Sequence, residues 1–295
     1  DIAADVLVPW HIEKKLHPGW QDWFSRFLEG SSQEINTDFR PLGLFYSISH
    51  WNALFAPSLR GIFSQFERIS LTGIVLLFAI VLFLYFIFRP ANGQSFRGGI
   101  TLSIITTGFA GMMFDLMIIF AFQSIYGYVF SWIGILVASF MAGAACGALL
   151  ITSVLGRIRN HLRLFKLIEL ALICFSIAFP VVFLAMPPSP GGAEGFFIYK
   201  ILFLGLSFTS GFLTGSQFPL ANKLYLRRSG HLSQTAGLLY AADLLGGWLA
   251  GILGAVVLLP VLGLTATCLT VALLKLTSLT VIATQHDRHL LGSGK

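Results

Sequence analysis

The chain is short of charge. Asp, Glu, Lys and Arg make up 11% of its 295 residues, less than half of the about 25% usual in a soluble domain. Cysteine is scarce as well. Cys146, Cys174 and Cys268 each stand inside an apolar run with no second cysteine nearby. That spacing gives no support to a disulfide framework, a CxxC redox pair or a zinc site. All seven histidines fall outside the long apolar runs, so the two intramembrane ligands of a b-type haem are missing. The chain has no P-loop, no GxGxxG after a strand, no HExxH and no GxSxG, and with them go nucleotide binding and the common hydrolase chemistries. The sequence therefore predicts no catalytic residues, no cofactor, no metal and no complete enzyme active site.

What is abundant is apolar. Apolar residues reach 56%, with 28 Phe and a mean hydropathy of +0.80. They gather in runs near the ~20 residues that cross ~30 Å of hydrocarbon. The candidate spans are Ile69–Phe88, Gly99–Ile125, Phe130–Leu155, Leu164–Met186, Phe196–Leu220, Ser233–Leu259 and Leu264–Ala283. Their connections alternate in charge. Arg89–Arg97, Gly156–Lys166, Asn222–His231 and the tail from Gln285 are basic, whereas Ser124–Ser131, Pro187–Gly195 and Val261–Thr265 carry no Lys or Arg. The four basic segments hold 11 of the 19 Lys and Arg, so the net charge of +6 reflects topology and anionic headgroups rather than nucleic acid. The expected fold is an all-α polytopic membrane bundle of about seven transmembrane helices. With the basic connections inside, the tail 285–295 is cytoplasmic and residues 1–68 are outside a bacterial inner membrane. Arg60 and Arg68 pull the other way: were the first span only interfacial, residues 1–68 would move to the cytoplasm. Tyr126, Tyr128, Phe130 and Trp132 form an aromatic belt at one outer boundary.

Residues 1–68 differ from the rest, with frequent charges and no long apolar run. Trp20, Trp23, Phe24, Phe27 and Leu28 recur at helical spacing beside Asp22, Arg26 and Glu29, which predicts an amphipathic helix. Leu42–Phe55 and Leu59–Phe66 are candidates for two more, lying on the bilayer surface. At 68 residues the region is marginal for a core of its own. It is expected to dock on the membrane domain, a further part of the same polypeptide or a partner. The opening at Asp1 without Met is expected of a processed product or a part of a longer polypeptide.

Small residues recur every four positions: Ser139, Gly143 and Gly147; Ser207, Gly211 and Gly215; Gly247, Gly251 and Ala255 beside Gly246, Ala250 and Gly254. Such stripes let helix backbones approach closely in lipid, within the chain or between two copies. Four ionisable residues lie within spans: Asp115, Glu169, Asp243 and Lys275. Intramembrane charges are costly and mark candidate functional positions. Asp243 and Lys275 lie at about 15 and 12 Å depth on consecutive helices, which predicts an ion pair between them. The four charges read either as a polar track for protons or a cationic solute, or as pairs that fix helix register. Pro180 predicts a kink, and Pro219 and Pro260 predict helix ends.

The strings Gly108-Phe-Ala-Gly-Met-Met-Phe-Asp115, Phe140-Met-Ala-Gly-Ala-Ala-Cys-Gly147 and Gly156-Arg-Ile-Arg159 resemble the first helix pair of the membrane domain of fused spermidine synthase-like proteins. Gly211-Phe-Leu-Thr-Gly-Ser-Gln-Phe-Pro-Leu-Ala221, Gly237-Leu-Leu-Tyr-Ala-Ala-Asp-Leu-Leu-Gly-Gly247 and Leu259-Pro-Val-Leu-Gly263 resemble its later helices, in the same order. Ile35-Asn-Thr-Asp-Phe-Arg-Pro41 with Trp51 looks like the stretch that follows the synthase-like domain. Asp115 stands where that family more often has Glu. The resemblance implies six helices, 99–284, like half of a major facilitator transporter, preceded by a leading span, 69–88, and by the tail of a synthase-like domain in 1–68. The aminopropyltransferase machinery is absent, and no catalytic role carries over. Three functions follow as expectations: a membrane anchor or scaffold holding a synthase-like domain or other protein subunits; a transporter of polyamines or other organic cations; or the membrane part of an aminopropyltransferase. The expected partners are the lipid bilayer and protein subunits, not nucleic acid.

Overall fold

The computed structural model describes residues 13, 17–29, 36–37, 40–55, 58, 61, 65–66, 69–88, 94–127, 130–186, 192–229 and 232–292. Tyr128, most of the Leu59–Phe66 candidate helix and most of the Arg89–Arg97 connection lie outside them, as do Pro187–Pro190 and His231. Among the described residues there is no β-strand, only an isolated bridge between Thr37 and Arg40. The chain divides into two units, residues 1–36 and 37–295. The first holds α1 (Pro18–Glu29), in which Trp20, Trp23 and Phe24 share one face as the spacing predicts. The second begins with α2 (Leu42–Phe55) and so takes in nearly half of the segment 1–68. It continues with α3 (Leu71–Phe88), α4 (Gln94–Tyr126), α5 (Phe130–Val154), α6 (His161–Leu184), α7 (Gly192–Ser229), α8 (Leu232–Leu253), a π-helical segment (Gly254–Leu262) and α9 (Gly263–Gly292).

The protein is an all-α polytopic membrane bundle. Among the described residues five apolar helical runs are long enough to cross a bilayer: Phe96–Tyr126, Phe130–Val154, His161–Leu184, Phe197–Leu226 and Ser233–Thr284. The last, of 52 residues, is two passes. Gly246 of α8 lies against Ile105 of α4 and Gly254 lies against Met113, so α8 runs with α4. Cys268 of α9 meets Met117 and Lys275 meets Thr107, so α9 runs against it. The reversal is at Gly263, whose φ of 79° few side-chain-bearing residues tolerate. Gly127, at φ 73°, ends α4 in the same way. Asn160 starts α6 by accepting the Arg163 backbone N–H at 3.0 Å.

The remaining directions follow from contacts. Arg97 stacks on Tyr225 at one end of α4, and Phe122 meets Phe203 near the other, so α7 runs against α4. Ser139 donates to the Leu204 carbonyl at 3.0 Å and Gly147 abuts Phe212, so α5 is parallel to α7. Glu169 meets Ser103 and Phe175 meets Phe114, so α6 runs with α4. Successive passes therefore alternate. α3 has 18 residues, about 27 Å of rise; its entry at Ile69 packs on the cluster of Phe45, Val257 and Val261, and α4 starts at the opposite end. Arg97, Arg157, Arg159, Arg163 and Lys223 all gather at one end of the bundle. The other end has the aromatic residues Tyr126, Phe130 and Trp132, with Lys200 4.7 Å over Trp132.

One helix end differs from expectation. α7 passes through Pro219 to Ser229, whereas the π-helical segment ends at Leu262, just past Pro260. Proline frees one carbonyl but does not end a helix whose neighbours keep it packed in lipid. α6 also continues past Pro180 to Leu184.

The bundle contains an internal repeat. At the α4·α8 contact, Gly246 lies on the Ile105 carbonyl and Gly108 on the Asp243 carbonyl; at the α5·α7 contact, Gly143 lies on the Phe208 carbonyl and Gly211 on the Phe140 carbonyl. Each residue of one set has its counterpart 103 positions away in the other. The sequences agree: Ile105-Thr-Thr-Gly-Phe109 matches Phe208-Thr-Ser-Gly-Phe212, and Gly134-Ile-Leu-Val-Ala matches Gly237-Leu-Leu-Tyr-Ala. α4 and α7 are antiparallel, so the repeats α4–α6 and α7–α9 are inverted. Gly111 against Thr214, also 103 apart, marks the pseudo-twofold axis.

Candidate functional site

The polar centre of the bundle is built by four helices. α4 contributes Ser103, Thr106 and Thr107, α6 Glu169, α7 Gln217, and α9 Lys275 and Ser278; each is at most 3% exposed. The Lys275 Nζ lies 2.9 Å from Glu169 Oε2. It also donates to Thr107 Oγ1 at 2.9 Å, to Thr106 Oγ1 at 3.4 Å and, at the limit of reach, to Gln217 Oε1 at 3.5 Å. Ser103 donates to Glu169 Oε1, and Ser278 does so at 3.2 Å. Glu169 Oε2 has no well-angled hydrogen bond, but the ammonium beside it supplies its counter-charge. One donor is left over, the Gln217 Nε2. Two charges that would each be costly in hydrocarbon thus neutralise one another, and hydroxyls fill most of their remaining valences.

The expected Asp243–Lys275 pair is not formed; Glu169 takes the place of Asp243. Equal depth on consecutive helices is not proximity. At about 100° per residue, Ser103, Thr106 and Thr107 lie on one side of α4 and Ile105 and Gly108 on the other. Lys275 meets the first side and Asp243 the second, so α4 stands between them. Asp243 is half-buried in the α4·α8 seam. Asp115 lies one turn beyond Gly111, and its Oδ1 is buried without a hydrogen-bond partner among the described residues. Neither aspartate joins the polar centre.

The glycine positions divide likewise. A Cβ at Gly143, Gly147, Gly211 or Gly215 would collide with a backbone carbonyl across the α5·α7 seam. On α8 the close residue is Gly246, against backbone, and at the start of the π-helical segment it is Gly254, against Met113. Gly247 and Gly251 have ordinary clearances, 3.8 Å to the Gly108 oxygen and 3.9 Å to Met112 Cε. Of the two neighbouring stripes on α8, it is therefore the one through Gly246 that carries the close approach. These stripes are spent on packing within one chain.

Ser103, Thr107, Gln217 and Ser278 were missing from the sequence expectations. Their signal was available, since Ser103 and Thr107 are one turn apart on one face, as are Lys275 and Ser278. Among the described residues no group of three or more His, Cys, Asp or Glu is placed to hold a metal ion. Cys146 and Cys174 are exposed thiols and Cys268 is buried, its Sγ 3.3 Å from Met117 Sδ. No family model, curated protein or solved structure matches the chain.

Proposed function

We propose that the chain is a membrane anchor and scaffold, the lipid-embedded module of a spermidine synthase-like protein or a subunit of a larger membrane complex. The observation that carries this reading is the closed Glu169–Lys275 centre, fully buried and charge-balanced. Its groups tie α4, α6, α7 and α9 together and leave no charge over for a solute. The glycine seams hold the bundle rigid in the same way. The inverted repeat supports the further reading that the six helices correspond to half of a major facilitator transporter, whose halves are built from such repeats. The end with the clustered Arg and Lys is then cytoplasmic and α2 lies on the outer side of a bacterial inner membrane. The test is native mass measurement after extraction into lipid nanodiscs. A stable assembly, or a polypeptide well above 32.3 kDa, supports the scaffold; a monodisperse lone chain counts against it.

A second reading is transport of an organic cation such as a diamine. It is favoured by Asp115 and Asp243, for which no ion pair is formed among the described residues. Facilitator transport needs two six-helix halves around a midplane site, so a second such unit is required. Uptake of radiolabelled putrescine into proteoliposomes tests it. Absence of uptake, or uptake unchanged by Asp243→Asn, removes this reading.

A further inference from the structure

Sulfur is concentrated in one wedge of the bundle. Three of the five methionines, Met112, Met113 and Met117, fall within six residues of α4. Met112 is partly exposed, whereas Met113 and Met117 are fully buried. Cys268 of α9, also fully buried, donates from Sγ to Met117 Sδ at 3.3 Å. Met113 stands one turn before Met117 on the same side of α4, about 6 Å away between Cβ atoms. Its Sδ lies against Gly254, at the start of the π-helical segment, in the space that a Cβ there would fill. α9 is clasped to that segment close by, where Thr267 donates to the Leu258 carbonyl at 2.9 Å. One thiol and two thioethers therefore face the wedge where α4, the π-helical segment and α9 converge.

We infer that Cys268, Met117 and Met113 form a binding site for a soft monovalent metal ion of the Cu(I) class. Metal–sulfur bonds of about 2.3 Å let two sulfurs on one ion lie up to about 4.6 Å apart. The 3.3 Å between Cys268 and Met117 is inside that reach, and the unbranched Met113 side chain turns its sulfur to the third position. The donor set selects the ion. Thiolate and thioether ligands favour Cu(I), whereas Mg2+, Ca2+ and Mn2+ are held by oxygen. Asp115, between the two methionines in sequence, stands on the opposite side of α4 at about 100° per residue, so no carboxylate joins the sulfurs. Charge decides in the same direction. On binding, the Cys268 thiol gives up its proton to water and the thiolate bonds the ion, so a monovalent ion leaves the site neutral. A divalent ion would leave one positive charge uncompensated inside the bundle, which is costly in a membrane. Cys268 lies five residues past the reversal at Gly263, about 8 Å of helix, so the ion enters from the end opposite the clustered Arg and Lys.

The test uses the full chain in lipid nanodiscs with Cys146→Ala and Cys174→Ala, which removes the exposed thiols. Copper is offered anaerobically as its Cu(I)–bicinchoninate complex, and loss of that complex's colour reports transfer to the protein. One Cu(I) per chain is expected, with X-ray absorption showing sulfur neighbours alone. Met113→Leu and Met117→Leu nearly conserve volume and should each weaken binding about tenfold or more. Cys268→Ala should abolish it, with thermal melts checking that each variant is folded. Ag(I) should compete for the site and Zn(II) should not. Absence of transfer overturns the inference, as do nitrogen or oxygen neighbours around the copper, or competition by Zn(II) equal to that by Ag(I). Transfer that Met117→Leu leaves unchanged also overturns it, and this variant decides the matter if Cys268→Ala does not fold.

Discussion

Removing Glu169 should be among the most damaging single changes to this bundle. At 2.9 Å separation and an effective dielectric constant of about 20, the attraction to Lys275 is about 6 kcal/mol before desolvation is counted. Glu169→Gln leaves the Lys275 ammonium with neutral oxygens alone, those of Thr106, Thr107 and Gln217 and of the new amide, and no counter-charge. Breaking a buried pair from one side costs about 3–5 kcal/mol, a hundredfold to several thousandfold in the folding equilibrium. Lys275→Met leaves the carboxylate held by Ser103 and Ser278 and should fall in the same range. The double variant removes both charges, so it should be more stable than either single one, and the cycle should return a favourable coupling of about 2–4 kcal/mol. Reversible unfolding by steric trapping in bicelles measures each corner. Single changes that cost under about 1 kcal/mol and add up in the double variant would refute the idea that this pair locks α6 to α9. So would a coupling of equal size between Asp243 and Lys275.

Other outcomes follow from the same contacts. Gly143→Ala and Gly211→Ala push a methyl into the Phe208 and Phe140 carbonyls and should lower thermal stability by about 1–3 kcal/mol each. Gly134→Ala and Gly205→Ala have nothing within 4 Å of the new carbon and should be neutral or slightly stabilising in the same melt. Arg40→Gln loses the donor to the Val261 carbonyl and should cost about 1.5–3 kcal/mol, read as faster proteolysis between α2 and α3 with α4 to α9 intact. In a background without native cysteines, Arg159→Cys and Ser131→Cys should react with a membrane-impermeant maleimide from opposite sides. Labelling of both from one side would contradict the alternating passes.

Much of the architecture was legible before any coordinates. Hydropathy located the passes to within a few residues, because a span must bring its own apolar length whatever surrounds it. Charge in the connections sorted them into two sets, and the structure gathers the basic set at one end. The amphipathic spacing of Trp20, Trp23 and Phe24 predicted α1. The internal repeat was legible too, but only by setting the chain against itself at a shift of 103 residues, which a reading of local windows does not do. Pro219 misled because a proline's local penalty is outweighed when flanking turns stay packed, whereas Pro260 does stand at a helix end.

By itself, then, the sequence determined that the chain crosses the membrane repeatedly, where each pass lies and which connections share a side. These depend on what each segment exchanges with water or lipid, one segment at a time. The tertiary structure alone decided that Lys275 answers to Glu169 rather than to Asp243, that α8 closes on α4 through Gly246, and that α2 belongs to the bundle through Arg40 and Phe45. Lipid solvates all apolar helix faces alike, so hydropathy carries no information about which faces meet. That choice rests on close fit and charge pairing between residues 66 to 221 positions apart, which no local pattern contains.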